Sequence, residues 1–171
     1  MAPSSTPYEE SKGSILAARD ARQVEMDRHL GAGALVLAVS LGIPGAEKAP
    51  PGAAALFAWA VGQVLEAFPG ARLLHFRSDA LGPFALLAAP ASPAEAKARC
   101  VGIEASSPAA RLVDLDVYSP QGASIDRASL HLPPRACLCC EQPARECICL
   151  GRHGFPEIVA RARALLASLA S

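Results

Sequence analysis

Residues 111–119 read RLVDLDVYS, and their alternation decides how the rest of the chain must fold. In a β-strand successive side chains project to opposite faces. The stretch therefore puts Val113, Leu115 and Val117 on one side and Leu112, Asp114, Asp116 and Tyr118 on the other. The first side is wholly apolar and belongs against a core. The second carries two carboxylates about 7 Å apart by the rise of a strand, close enough to repel each other unless cations lie between them. Hard oxygen donors suit Mg2+ or Mn2+, so the pair fits a metal-dependent nucleotidyl or phosphoryl transfer. Two ordinary acids on the solvated edge of a hairpin is the other reading of the same residues.

Downstream, the turn Ser119-Pro120-Gln121-Gly122 sends the chain back along a second strand over 123–130. Asp126 on that strand is a candidate third carboxylate, its distance from Asp114 and Asp116 set by a hairpin register that sequence does not specify. Next, Cys137-x2-Cys140-x6-Cys147-x5-His153 offers three thiolates and an imidazole in a segment (133–154) broken by Pro133, Pro134 and Pro143. Such a donor set matches a closed tetrahedral zinc site that staples a fold. Cys139 and Cys149 leave the ligand choice open, and a local disulfide cluster or plain thiols are the competing readings. From Pro156 a last helix follows, with Ile158, Ala162, Leu165, Leu166 and Leu169 along one stripe that should pack on the sheet.

Upstream, residues 1–12 are rich in Pro, Ser and Glu and read as a disordered tail. Ser14 to Leu30 reads as a helix stopped by Gly31 and Gly33, with Arg19, Arg22, Gln23 and Met26 on one face. Two guanidiniums one turn apart suit a polyphosphate; a solvated face is the alternative. The apolar run 34–43 reads as a buried strand, and Pro50-Pro51-Gly52 launches a helix, apolar almost all round, that ends at Pro69-Gly70 with Trp59 in the core. Strands over 71–78 and 83–90 form a hairpin, and His75 in the first of them is read as structural. Ser92, Pro93 and Glu95 make a capping box for a third helix that ends by Ser106-Ser107-Pro108 and buries Cys100. The order of elements contains βαββαβ, a ferredoxin-like split unit with a mainly antiparallel sheet and helices on one face, so the fold class is α+β.

With 171 residues, 51% of them hydrophobic, the chain suffices for one domain, 13–171, with a real core. Sixteen basic residues balance sixteen acidic ones, which removes any overall pull toward nucleic acid or an anionic membrane. The start MAPSSTPYEESKG lacks the basic and apolar regions of a signal peptide, and ALVLAVSLGI is too short to span a bilayer. A cytoplasmic location is expected, where six cysteines favour metal or free thiols over disulfides. The glycine-rich phosphate fingerprints of Rossmann and P-loop proteins are absent.

RLVDLDV at 111–117, Arg127, LPPRACLCCEQPAREC at 132–147 and ARDARQ at 18–23 occur together and in order. In these elements the chain resembles the citrate lyase holo-acyl carrier protein synthase family, the apo-citrate lyase phosphoribosyl-dephospho-CoA transferases. It departs from the pattern at Ala110, where a glycine is expected, and in the extra Cys139 and Cys149. The resemblance implies transfer of the 5''-phosphoribosyl-3'-dephospho-CoA group from triphosphoribosyl-dephospho-CoA to a serine of the citrate lyase acyl carrier protein, with release of pyrophosphate. It implies Asp114 and Asp116 as catalytic Mg2+ ligands, and Arg19, Arg22, Gln23, Arg111, Arg127 and Arg135 as substrate-binding residues. On an ideal strand Arg111 points away from the two acids and needs a strand end or a bulge to join them. Three rivals stand beside this: the same transfer to the malonate decarboxylase carrier, a non-catalytic zinc-stabilised interaction module, and a thiol redox protein using Cys137 and Cys140, which lacks a thioredoxin-like context.

Overall fold

Leu35–Leu41 (β1) lies in the middle of the molecule because both of its faces are apolar, with only Ser40 less than fully buried. The computed structural model describes residues 7–170. Around β1 the chain runs α1 (Pro7–His29), α2 (Ala53–Ala67), β2 (Arg72–Asp79), β3 (Gly82–Ala89), α3 (Pro93–Ala105), β4 (Val113–Tyr118), β5 (Ser124–Ile125), α4 (Ala144–Cys149) and α5 (Phe155–Ala167). The sheet order is β2-β3-β1-β4-β5 and every neighbouring pair is antiparallel. Thus β1 and β2 run parallel with β3 between them, and β3 and β4 run parallel with β1 between them. Those two split crossovers are the expected ferredoxin-like unit.

The helices divide between the two faces. Leu37 and Val39 of β1 and Val113, Leu115 and Val117 of β4 form the main core with Leu56, Ala60 and Val64 of α2, Ala96 and Cys100 of α3, and Leu165 and Leu166 of α5. Trp59 is half-buried against that core. The close approach of α5 is possible because Gly52, at φ +89°, has no side chain; a Cβ there would sit 2.9 Å from the Leu166 carbonyl oxygen. On the opposite face Val36, Ala38, Phe84 and Leu86 are covered by Met26 of α1 and Leu30 just after it, together with Tyr118. The stripe of α5 is as expected at Ala162, Leu165 and Leu166, while Leu169 stays exposed.

Four local expectations need correction. The first helix begins at Pro7 and not at Ser14, a start that proline at the first helical position and the glutamates after it favour. That removes 7–12 from the expected tail; residues 1–6 lie outside the described ones. The return strand spans only Ser124–Ile125 and not 123–130, because Asp126 accepts the Ser129 N–H at 2.7 Å and turns the chain into a 3-10 turn at Ala128–Leu130. The cysteine segment is not without regular structure: Ala136 and Pro143 form a β-bridge, and α4 follows it. Finally, Arg111 precedes the strand, on a 3-10 turn at Ala109–Leu112.

Candidate active site and metal centre

The alternation read in RLVDLDVYS holds from Val113 to Tyr118: Val113, Leu115 and Val117 are buried, and Asp114, Asp116 and Tyr118 face the α1 side half-buried. Leu112, expected on the acid face, ends the 3-10 turn before the strand and is buried in the main core instead. In the register with β1, Asp116 stands across from Ala38 and Asp114 across from Ser40. The two acids differ sharply in their surroundings. Asp114 accepts from Arg135 Nη1 at 2.7 Å. No donor reaches Asp116 among the described residues; burial, and then the like charge on Asp114, push its pKa above the ordinary carboxylate value. Burial and the two aspartates likewise raise Tyr118.

Because β5 is so short, the outer edge of β4 ahead of Val117 has no strand partner, and side chains complete it instead. Glu104 of α3, 5% exposed, accepts the Leu115 N–H at 2.8 Å, and Lys97 of α3 donates to the Leu115 carbonyl at 3.1 Å. Arg135 donates to the carbonyls of Val113 and Arg111. Arg127 pairs with Glu104 and also donates to the Pro133 carbonyl at 3.1 Å. This edge network connects α3, β4 and the cysteine segment.

Sequence reading missed Lys97 and Glu104. The available signal is their helical spacing: with Cys100 they fall on one stripe of α3, and a lysine and a glutamate on the core side of a helix mark a buried ion network.

Of the other anticipated residues, Arg111 donates to Glu141 at 3.0 Å and to the Cys137 carbonyl at 3.0 Å, so it clips the cysteine segment to the start of β4 and does not approach the acids. Arg22 lies on the α1 face of the sheet, paired twice with Asp79 at 2.7 and 3.0 Å and stacked over Phe84. Gln23 donates to Asp27, and Arg19 is exposed with no partner among the described residues. Asp126 is occupied with Ser129 and forms no cluster with Asp114 and Asp116. His75 pairs with Glu25 at 3.6 Å, in keeping with a structural role.

The donor atoms of Cys137, Cys140, Cys147 and His153 all lie within 4.8 Å of one another. Four donors about 2.0–2.3 Å from a central zinc would stand about 3.5–3.8 Å apart. The observed Cys140–Cys147 sulfur separation is 3.5 Å and the His153 Nε2–Cys140 separation is 3.3 Å. The group can therefore hold a metal ion. His153 Nδ1 faces Glu157 at 3.3 Å, a carboxylate placed to orient the imidazole. The Gln142 N–H, and then His153, lower the Cys140 pKa to about 7, favouring the thiolate that a metal needs. Burial pushes Cys147 up to about 12 in the metal-free protein. All six cysteines are free thiols. Cys139 groups with His153 and Glu157 in a second, overlapping set, whereas exposed Cys149 joins neither.

The chain has relatives among known proteins. The chain is 38% identical over 88 residues to the apo-citrate lyase phosphoribosyl-dephospho-CoA transferases of Escherichia coli O139:H28 (strain E24377A / ETEC) and Shigella boydii serotype 18, a stretch that covers 52% of this chain. It spans about half the length of those relatives, 48%. The model of a family described as apo-citrate lyase phosphoribosyl-dephospho-CoA transferase matches residues 11–169, nearly the whole chain, and the protein belongs to that family.

Proposed function

We propose that the protein transfers the phosphoribosyl-dephospho-CoA group from its triphosphate precursor to a serine of the citrate lyase acyl carrier protein. In that reaction the serine oxygen forms a bond to the α-phosphorus, the bond from that phosphorus to the bridging oxygen breaks, and pyrophosphate leaves with the electron pair while the serine proton passes to solvent. The observation that carries the reading is the contrast within the acid pair: Asp114 is oriented by Arg135, while Asp116 is half-buried, without a donor among the described residues, and beside a like charge. An arrangement that raises the free energy of a carboxylate suits a cation held between the two. Asp114 and Asp116 would hold Mg2+, which when bound supplies neutralisation of the phosphoryl oxygens and the departing pyrophosphate.

The chain's own residues orient the rest. Arg135 holds the Asp114 carboxylate in place and offers its guanidinium beside it. Arg19, exposed on α1 and without a partner among the described residues, is the first candidate for the triphosphate tail on the acid-bearing face that the helix covers. Arg22 and Gln23 contribute there only by exchanging Asp79 and Asp27 for substrate. Arg111 and Arg127 act by fastening the segment that delivers Arg135. Zinc bound by Cys137, Cys140, Cys147 and His153 is proposed as the structural staple of that segment, in a reducing cytoplasmic setting where the thiols stay free.

The reading is tested by mixing purified protein, precursor and Mg2+ with apo-carriers of citrate lyase and of malonate decarboxylase, and weighing the carriers. The citrate lyase carrier should gain the mass of one phosphoribosyl-dephospho-CoA group. Modification confined to the other carrier would reassign the partner, and none on either would reject the enzyme. Elemental analysis of protein purified without chelator should find about one zinc per chain.

A further inference from the structure

At the end of the sheet, where β1 gives way to Gly42 and Pro44 and the 3-10 turn leads into β4, a cavity of about 540 Å3 opens between the cysteine segment and α5. Leu112, Leu138, Ile148, Phe155 and Ile158 give it apolar walls, beside Cys137, Cys147 and His153 of the metal group. Ile148 and Phe155 stand largely in solvent, at 77% and 64% exposure, and large apolar groups left open at the mouth of a concave site mark a place for a ligand. Arg111 and Arg135 also line it. Arg135, which lines the cavity, is also the residue that donates to Asp114. Arg111 is held by the Cys137 carbonyl through Nη1 and by Glu141, whose side chain is 84% exposed, through Nη2. Solvated pairs of that kind are weak, and an incoming anion can take the place of Glu141.

The group to be transferred has matching chemistry. Its reactive triphosphate is carried on a ribose joined to the ribose of the adenosine, so the adenosine lies one sugar away from the reacting phosphorus. The adenosine also carries the diphosphate of the dephospho-CoA arm. A purine offers flat apolar faces to apolar walls, and a diphosphate suits the fork of a guanidinium. We propose that this cavity seats the adenosine of the dephospho-CoA unit, with Phe155 and Ile158 against the base and Arg111 on the adjoining diphosphate. The assignment rests on the transfer reading above, and it names the part of the substrate that gives the site its specificity.

Calorimetric titration of the full chain with 3'-dephospho-CoA, and separately with inorganic triphosphate and Mg2+, tests it. Wild-type protein should bind both. Ile158→Trp fills the cavity, and Phe155→Ala removes an exposed ring without disturbing the core. Each should weaken dephospho-CoA binding by about tenfold or more and leave triphosphate binding within about twofold. Asp116→Asn should do the reverse. Dephospho-CoA affinity that is absent in wild type, or unchanged in both cavity variants, overturns the proposal. So does a Phe155→Ala variant whose KM rises for the carrier and not for the precursor, since the rim would then be a protein-docking surface. A wild-type protein that modifies the carrier, with an Ile158→Trp variant of unaltered precursor KM, rejects the subsite and leaves the transfer standing. One that binds dephospho-CoA in the cavity and modifies no carrier rejects the transfer and leaves the subsite.

Discussion

Two carboxylates on the α1 side of the sheet, Asp79 near one edge and Asp116 near the other, are treated in opposite ways. Burial works against the charge of Asp79, but the Arg22 bonds, the Leu81 N–H and the charges of Arg22 and Arg77 outweigh it and hold its pKa below the ordinary value. For Asp116 burial acts first, Asp114 adds to it, and no bond from the described residues compensates. Asp79 is fully partnered, whereas no donor among the described residues reaches Asp116. A carboxylate that fastens α1 to β2 needs its partners in the protein, whereas one that serves a charged substrate must keep its bonding capacity free.

The largest effect that separates the two is on rate. Asp116→Asn should lower transfer by about 10²-fold or more at saturating Mg2+, through loss of charge at the phosphoryl group. Asp114→Asn should do likewise. Rates close to wild type in both would return the pair to the solvated hairpin edge.

Next comes stability at the other edge. Asp79→Ala leaves the Arg22 guanidinium, 11% exposed, without its carboxylate, and should cost about 3–5 kcal/mol in chemical denaturation. The linkage signs of the two acids then oppose each other. Asp79 has a depressed folded pKa, so its contribution is present above the unfolded carboxylate pKa and is lost as pH falls through the folded value. Asp116 has a raised folded pKa, so its folded form binds the proton more tightly and stability falls as pH rises from the unfolded value through the folded one. Asp116→Asn should therefore raise Tm at pH 7 in Mg2+-free buffer, with the gain disappearing below pH values at which both states are protonated. A lowered Tm for this variant at neutral pH would mean that Asp116 has a partner after all.

Much of this was legible in the sequence, for a physical reason. Period-two alternation in RLVDLDVYS reports which side chains share a face, and the capping box of α3 and the apolar runs of β1 and α2 report local structure; together they imply the βαββαβ order. The cysteine spacing was legible because a tetrahedral site needs four donors within a short reach of chain. What was hidden depends on tertiary pairing. The shortness of β5 follows from the local Asp126–Ser129 bond, and only that shortness makes Glu104 and Lys97 necessary on the edge of β4. Whether Arg22 meets phosphate or Asp79 likewise turns on residues 57 apart in the chain, which helical periodicity does not report.

A smaller effect concerns the segment that carries Arg135. Cys140→Ser should lose bound zinc and lower Tm, because few apolar side chains between Pro133 and Gly154 are buried. Ser in place of both Cys139 and Cys149 should leave metal content and activity unchanged within error. Zinc lost from the double variant would move the ligand set toward the overlapping group of Cys139, His153 and Glu157.

The most direct measurement is a paired one at pH 7: intact-mass spectra of apo-citrate lyase acyl carrier protein after reaction with precursor and Mg2+, using wild type and Asp116→Asn of equal zinc content. The account predicts that the wild type adds one phosphoribosyl-dephospho-CoA group to the carrier serine, while the variant leaves the carrier unmodified and melts no lower than wild type without Mg2+. An unmodified carrier with zinc-loaded, folded wild-type protein, or equal modification by both proteins, would contradict it.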